Sequence, residues 1–140
     1  MILKQTFGTA TDKSISAIEK KYNVTLSSDY KDFLNNSNGG TCEIENEKNN
    51  YIVDGNTITL DFLYGIKTCS NADIEHVMEI FEEDLLAGCL IIGDDLMGGQ
   101  IVMICSGDDR GIYYWDHGYN FETSDDELNM YWICDEFSDL

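Results

Sequence analysis

Residues 90–116, LIIGDDLMGGQIVMICSGDDRGIYYWD, decide the fold. The stretch holds three short apolar runs, 90–92, 101–105 and 112–115, each closed by glycine or aspartate. The runs are rich in β-branched and aromatic residues and are shorter than a stable helix requires, so they read as strands. Between the second and third, residues 106–111 (SGDDRG) supply glycines that accept positive φ and aspartates that bond their own backbone. Such a segment predicts a hairpin. Adjacent residues in these runs are apolar where a half-exposed strand would alternate, so both faces of the sheet are expected to be covered.

Working outward, residues 12–22 place Ile15, Ile18 and Tyr22 on one helical face and the lysines mostly elsewhere, a short amphipathic helix stopped at Asn23. Ser27 stands as the N-cap of a second helix whose inner face carries Tyr30, Phe33 and Leu34, and Asn38-Gly39-Gly40 ends it. Residues 41–64 contain CEIE, YIVDG and TITLDFLYG, a meander of short strands. Ser70 or Asn71 is expected to cap a third helix with Ile74, Val77, Met78, Phe81 and Leu85 at helical spacing. The acids Glu82, Glu83 and Asp84 fall near its C-terminus, where they oppose the helix dipole. Residues 117–129 read as a polar loop, and 133–140 as a final short helix returning Ile133, Phe137 and Leu140 to the core.

At 140 residues the chain fits one domain over 1–140, large enough to bury a core without disulfides or metal. Its 27 acidic and 8 basic side chains give a net charge of −19. The charge is unevenly spread: residues 1–67 hold 9 acids and 7 bases, a net of −2, and residues 68–140 hold 18 acids and the single base Arg110, a net of −17. A field of that sign repels nucleic acid and anionic membranes and steers a cationic partner inward; acidity also serves solubility alone. Five cysteines, odd in number and without a CxxC pair, are expected to be reduced and mostly buried, as in a cytoplasmic protein. MILKQTFG lacks a signal-peptide pattern, and no apolar run approaches the length of a membrane span.

The order of motifs resembles the SUKH superfamily of Smi/Knr-like proteins. The family's Leu-Pro-x-x-Tyr-x-x-Phe-Leu and Asn-Gly-Gly signatures correspond here to residues 26–34, with Ser27 in place of proline, and to Asn38-Gly39-Gly40. Its later signature corresponds to Ile92-Gly93-Asp94, Gly99-Gln100 and Tyr114-Trp115-Asp116-His117, with Gln100 where aspartate is commoner. The resemblance implies an α+β fold, a single domain with a mixed, mostly antiparallel sheet flanked by helices, and binding without catalysis. Bacterial members commonly neutralise a co-encoded polymorphic toxin, often a nuclease; eukaryotic relatives act as regulatory hubs.

The residues carry little independent sign of catalysis. Neither a GxSxG elbow nor a phosphate-cradling glycine loop is present, and Cys105 and Cys134 lie in apolar runs that disfavour a thiolate. No cysteine pair has zinc spacing, and neither Asp94-Asp95 nor Asp108-Asp109 continues into a calcium loop, so no metal or cofactor is expected. A nuclease holds phosphates in a cationic cleft, and carboxylates on a rigid support can occupy it. The partner-binding candidates are therefore the strand-end acids Asp94, Asp95, Asp108, Asp109 and Asp116, with Gln100 beside them and Tyr114 and Trp115 as aromatic anchors. The same aspartates also suit turns, and the same aromatics suit a core. The leading expectation is a cytoplasmic immunity protein that neutralises a basic toxin domain. A regulatory adaptor for endogenous proteins and a nucleic-acid mimic that inhibits a housekeeping enzyme are the alternatives.

Overall fold

In the computed structural model, which describes residues 1–140, the hairpin forms at the centre of the sheet. Strand β6 (Gln100–Ile104) pairs antiparallel with β7 (Gly111–Trp115), from Gln100 opposite Trp115 to Ile104 opposite Gly111. On its other side β6 meets β5 (Cys89–Asp95), and β7 meets β8 (Met130–Cys134). Beyond β5 come β4 (Asn56–Leu63), β2 (Gly40–Cys42) and the edge strand β1 (Leu3–Thr6), giving the order β1-β2-β4-β5-β6-β7-β8. Strand β3 (Asn50–Val53) pairs with the first half of β4 through the tight Asp54-Gly55 turn, where both residues have positive φ.

Every ladder between these strands is antiparallel; the parallel component is a single bridge between Gly65 and Asp73. The fold is therefore α+β with an open, mostly antiparallel sheet, as the motif order implied. The near-continuous apolar pattern is explained directly, because Leu90–Ile92 and Ile101–Met103 are all buried. The helix over Ile74–Phe81 packs against β5, and β3 comes alongside β8.

Helix α1 (Asp12–Tyr22) begins in a capping box: Thr11 Oγ1 accepts from Ser14 N and Ser14 Oγ accepts from Thr11 N, both at 3.1 Å. It ends at Asn23, which takes the left-handed conformation at φ 51°. Helix α2 (Ser28–Asn36) has Ser27 at its N-cap position, but the hydroxyl makes no capping bond. The termination signal after α2 is explained by its second half. Asn38, itself left-handed, accepts from Ile66 N at 2.8 Å and donates to Ile66 O at 3.0 Å, tying the helix end to the segment after β4. Gly39 passes so close to β4 that a Cβ would lie 2.5 Å from Leu63 O.

Three expectations need correction. Residues 70–72 form a separate 3-10 turn, and Asp73, not Ser70 or Asn71, caps helix α3 (Ile74–Phe81), with its carboxylate accepting from His76 N. Residues 133–140 do not form a helix: Ile133 and Cys134 complete β8, and only Phe137–Asp139 turns, as a 3-10 element. Apolar residues in 130–134 can satisfy either period, and the open edge of β7 decides for strand. All five cysteines are free, yet only Cys42 and Cys89 are buried, and Cys69 is exposed.

Candidate functional site

The eight residues nominated from the sequence separate into two groups at opposite ends of the central strands. Asp108 and Asp109 lie in the β6–β7 turn and are exposed. The other six lie where β5 ends, β6 begins and β7 ends, since Asp94 pairs with Gln100 and Gln100 with Trp115. Five residues of β6, rising about 3.3 Å each, separate the two ends.

Of those six, only Asp94 reaches solvent, and only partly; Asp95, Gln100, Tyr114, Trp115 and Asp116 are buried. Each of the buried acids is used by its own loop. Asp95 Oδ1 accepts from Gly99 N at 2.9 Å, Met97 N at 3.1 Å and the Tyr114 hydroxyl at 3.2 Å, closing the β5–β6 turn. Its Oδ2 is buried without a partner, and burial pushes the carboxyl above its usual range. Asp116 organises the loop after β7 by accepting from Asn120 N at 2.9 Å, Phe121 N at 2.7 Å and Ser124 Oγ at 2.6 Å. Although burial acts against its charge, these bonds from Ser124, Phe121 and Asn120 hold its carboxyl below the usual range.

Asp94 repairs an irregularity between β4 and β5. The pairing register shifts between Leu60 and Leu63, and Asp94 Oδ1 accepts from the intervening Phe62 N–H at 3.0 Å. Its Oδ2 accepts from the Tyr64 hydroxyl at 2.8 Å. Burial dominates its environment and pushes the carboxyl up to about 6. Gln100 lies 3.1 Å from the same hydroxyl, which has one hydrogen and gives it to Asp94. Turning the Gln100 amide over places its N–H on the phenol oxygen and satisfies both groups. An aspartate in this place would set a second carboxylate against Asp94, so glutamine suits this chain's network.

The aromatics are likewise structural. Tyr114 stacks on Phe121 with ring centroids 5.1 Å apart, and Trp115 meets Phe81 edge-on at 5.7 Å. Direct contact through the five buried residues is thus closed in this conformation. Their side chains shape the loops that carry the exposed acids.

None of those exposed acids is among the eight nominated residues. Glu79, Glu82, Glu83 and Asp84 line the end of α3 and the 3-10 turn after it, and Glu122, Asp125, Asp126 and Glu127 stand on the 117–129 loop. The available signal was acids placed against the dipole of α3. The chain's three ion pairs, Lys21–Glu75, Lys31–Glu19 and Arg110–Glu136, leave all eight of these acids without a cation.

Burial makes Cys42, Cys105 and Cys134 poor nucleophiles, pushing Cys42 and Cys105 up to about 12 and Cys134 up to about 11. No three His, Cys, Asp or Glu side chains converge in a way that would hold a metal ion.

The model of the SMI1 / KNR4 family (SUKH-1) matches residues 9–140. The chain belongs to this family. The SUKH-1 match spans both stretches that carry the resemblance, residues 26–40 and 92–117. Members of the family are generally immunity or regulatory proteins and are known for protein–protein interaction. No curated protein matches the chain. No helix is long and apolar enough to cross a membrane.

Proposed function

We propose that this SUKH-1 chain is an immunity protein that binds a cognate toxin in the cytoplasm and blocks it by acidic surface complementarity. The observation that carries the reading is the net −17 of residues 68–140, in which Glu79 at the end of α3 and the acids of the following turn and of the 117–129 loop are exposed and unpaired. Such a surface fits a toxin domain that is itself cationic, a nuclease being the leading case because its cleft must hold phosphates. Asp108, Asp109 and the exposed part of Asp94 belong to the contact surface in this reading, and Asp95, Gln100, Tyr114, Trp115 and Asp116 position it from within. The role is inhibition by occupancy, with no catalytic step, cofactor or metal.

Co-expression tests this directly. Cells producing a toxin encoded beside this chain's gene should survive when the chain is present and die when it is absent. A failure to protect against, or bind, every neighbouring toxin would remove the immunity reading.

A further inference from the structure

A groove of about 540 Å³ lies between the end of α3, the end of β7 and the 117–129 loop. Its floor is aromatic: the His117 ring packs 4.8 Å from Phe81 and 5.4 Å from Trp115, centroid to centroid. His117 is held there by a 2.9 Å hydrogen bond between Nε2 and Gly98 O. At the margin stand Leu86, Tyr119 and Leu128, which are 77%, 48% and 51% exposed. The same lining includes Asp84, Asp126 and Glu127. Asp126 accepts from the Tyr119 hydroxyl at 2.7 Å, which fixes that ring at the rim. None of the three acids takes part in an ion pair.

Apolar side chains in water and carboxylates without cations are both unfavourable, and here they share one concave surface. Asp84 also sits where it opposes the α3 dipole, so its position is not explained by the stability of the helix. Nucleic acid and anionic lipid are repelled by the field of this half of the chain. A second copy would bring another net −19 and the same acids against these. A small free cation would leave Leu86 and Leu128 in water.

We infer that this groove receives a cationic segment of the partner protein, an arginine or lysine next to an apolar residue. The apolar residue covers Leu86 and Leu128, and the cation meets Asp84 and Glu127 beside the face of Tyr119. The partner's identity as a basic toxin rests on the immunity reading above; the groove's preference rests on its own lining.

The test uses the full chain and, as probe, a synthetic peptide alternating arginine and leucine, with a twin carrying glutamine for arginine. Three paired variants are compared: Asp84→Lys with Glu127→Lys in the groove, Leu86→Ser with Leu128→Ser at its margin, and Asp108→Lys with Asp109→Lys at the distant hairpin turn. All six residues are exposed, so the fold should be retained, and the two charge reversals alter net charge equally. The arginine peptide should bind the native chain more tightly than its twin. The groove reversal should weaken it about tenfold, the serine pair about threefold, and the hairpin reversal less than about twofold. Equal weakening by both reversals, or no binding to the native chain, would overturn the inference.

Co-expression separates this from the immunity reading. If the native chain protects and the groove reversal does not, both stand. If both protect equally, the groove inference falls and immunity stands. If the peptide binds in the groove but no toxin is neutralised, the groove stands and the toxin reading falls.

Discussion

Asp94 is the residue whose chemistry most departs from its position in the sequence. A carboxylate in a Gly-Asp turn is ordinarily solvated, but this one is folded against β4 to supply the acceptor that the shifted ladder denies to Phe62 N–H. Its carboxyl titrates at about 6 instead of 3.8, so between those values the folded chain holds a proton that the unfolded chain has released. The contribution to stability is therefore present at low pH and is lost as pH rises through about 6. Asp94→Asn keeps an acceptor for Phe62 N–H and can donate to the Tyr64 oxygen, so it isolates the charge. Relative to the native chain, the variant should gain roughly 2 kcal/mol of unfolding free energy between pH 4 and pH 8, measured by urea unfolding at both. A gain independent of pH would mean the carboxylate is not desolvated. Gly99 makes a second prediction: a Cβ there would lie 2.1 Å from the hydroxyl of buried Tyr114, which also bonds Asp95. Gly99→Ala should cost about 2 kcal/mol or more, whereas Gly98→Ala meets open space and suffers only from its φ of 88°.

Among the elements, the carboxyl-terminal segment shows how pairing overrides local pattern. After β8 the chain turns once and places Phe137 4.9 Å from Tyr30 and 4.8 Å from Phe33, so the 3-10 turn packs against α2. Ser138 N also donates to Asp29 Oδ2 at 2.9 Å, across 109 residues of sequence. Phe137→Ala should lower stability by about 3 kcal/mol or more, read from the shift in the unfolding midpoint with an unchanged denaturant slope. A loss below about 1 kcal/mol would show that the turn is a frayed end. Helix α3 carries the opposite lesson. Its apolar positions were legible as a helix of 3.6 period, because Ile74, Val77 and Met78 all bury, but the α-helix stops at Phe81 and Glu82–Asp84 form a separate 3-10 turn, short of the expected Leu85. Its start was not legible: Asp73, which caps the helix, also bridges to Gly65 across the loop, a partner that local pattern does not reveal.

For the whole molecule, the unpaired acids at the end of α3, on its following turn and on the 117–129 loop are the part of the surface that can steer a cation. If it steers a cationic toxin, the association rate should fall steeply, about tenfold or more, between 50 and 500 mM salt, while the dissociation rate changes far less. Stopped-flow mixing of the two proteins across that range measures this directly; an association rate flat with salt would leave immunity standing without electrostatic steering. The expectation that the family-signature acids formed the contact surface was formed at the level of motif, and the fold turned most of them inward. A Gly-Asp pair looks alike in sequence whether its carboxylate faces a partner or closes its own loop, as those of Asp95 and Asp116 do.

The α+β class was implied by the resemblance of the motif order, and the sequence by itself determined the central hairpin, the first two helices and the concentration of acids in residues 68–140. These depend on period, turn chemistry and charge, which are local or additive quantities. Only the tertiary structure decided that β8 is a strand, that Asp94 serves β4, and that Trp115, Leu86, Leu128 and the acids Asp84, Asp126 and Glu127 share one groove. Each of these depends on which distant segment offers a hydrogen-bonding edge or an apolar surface, and the chain supplies that information only when it is folded.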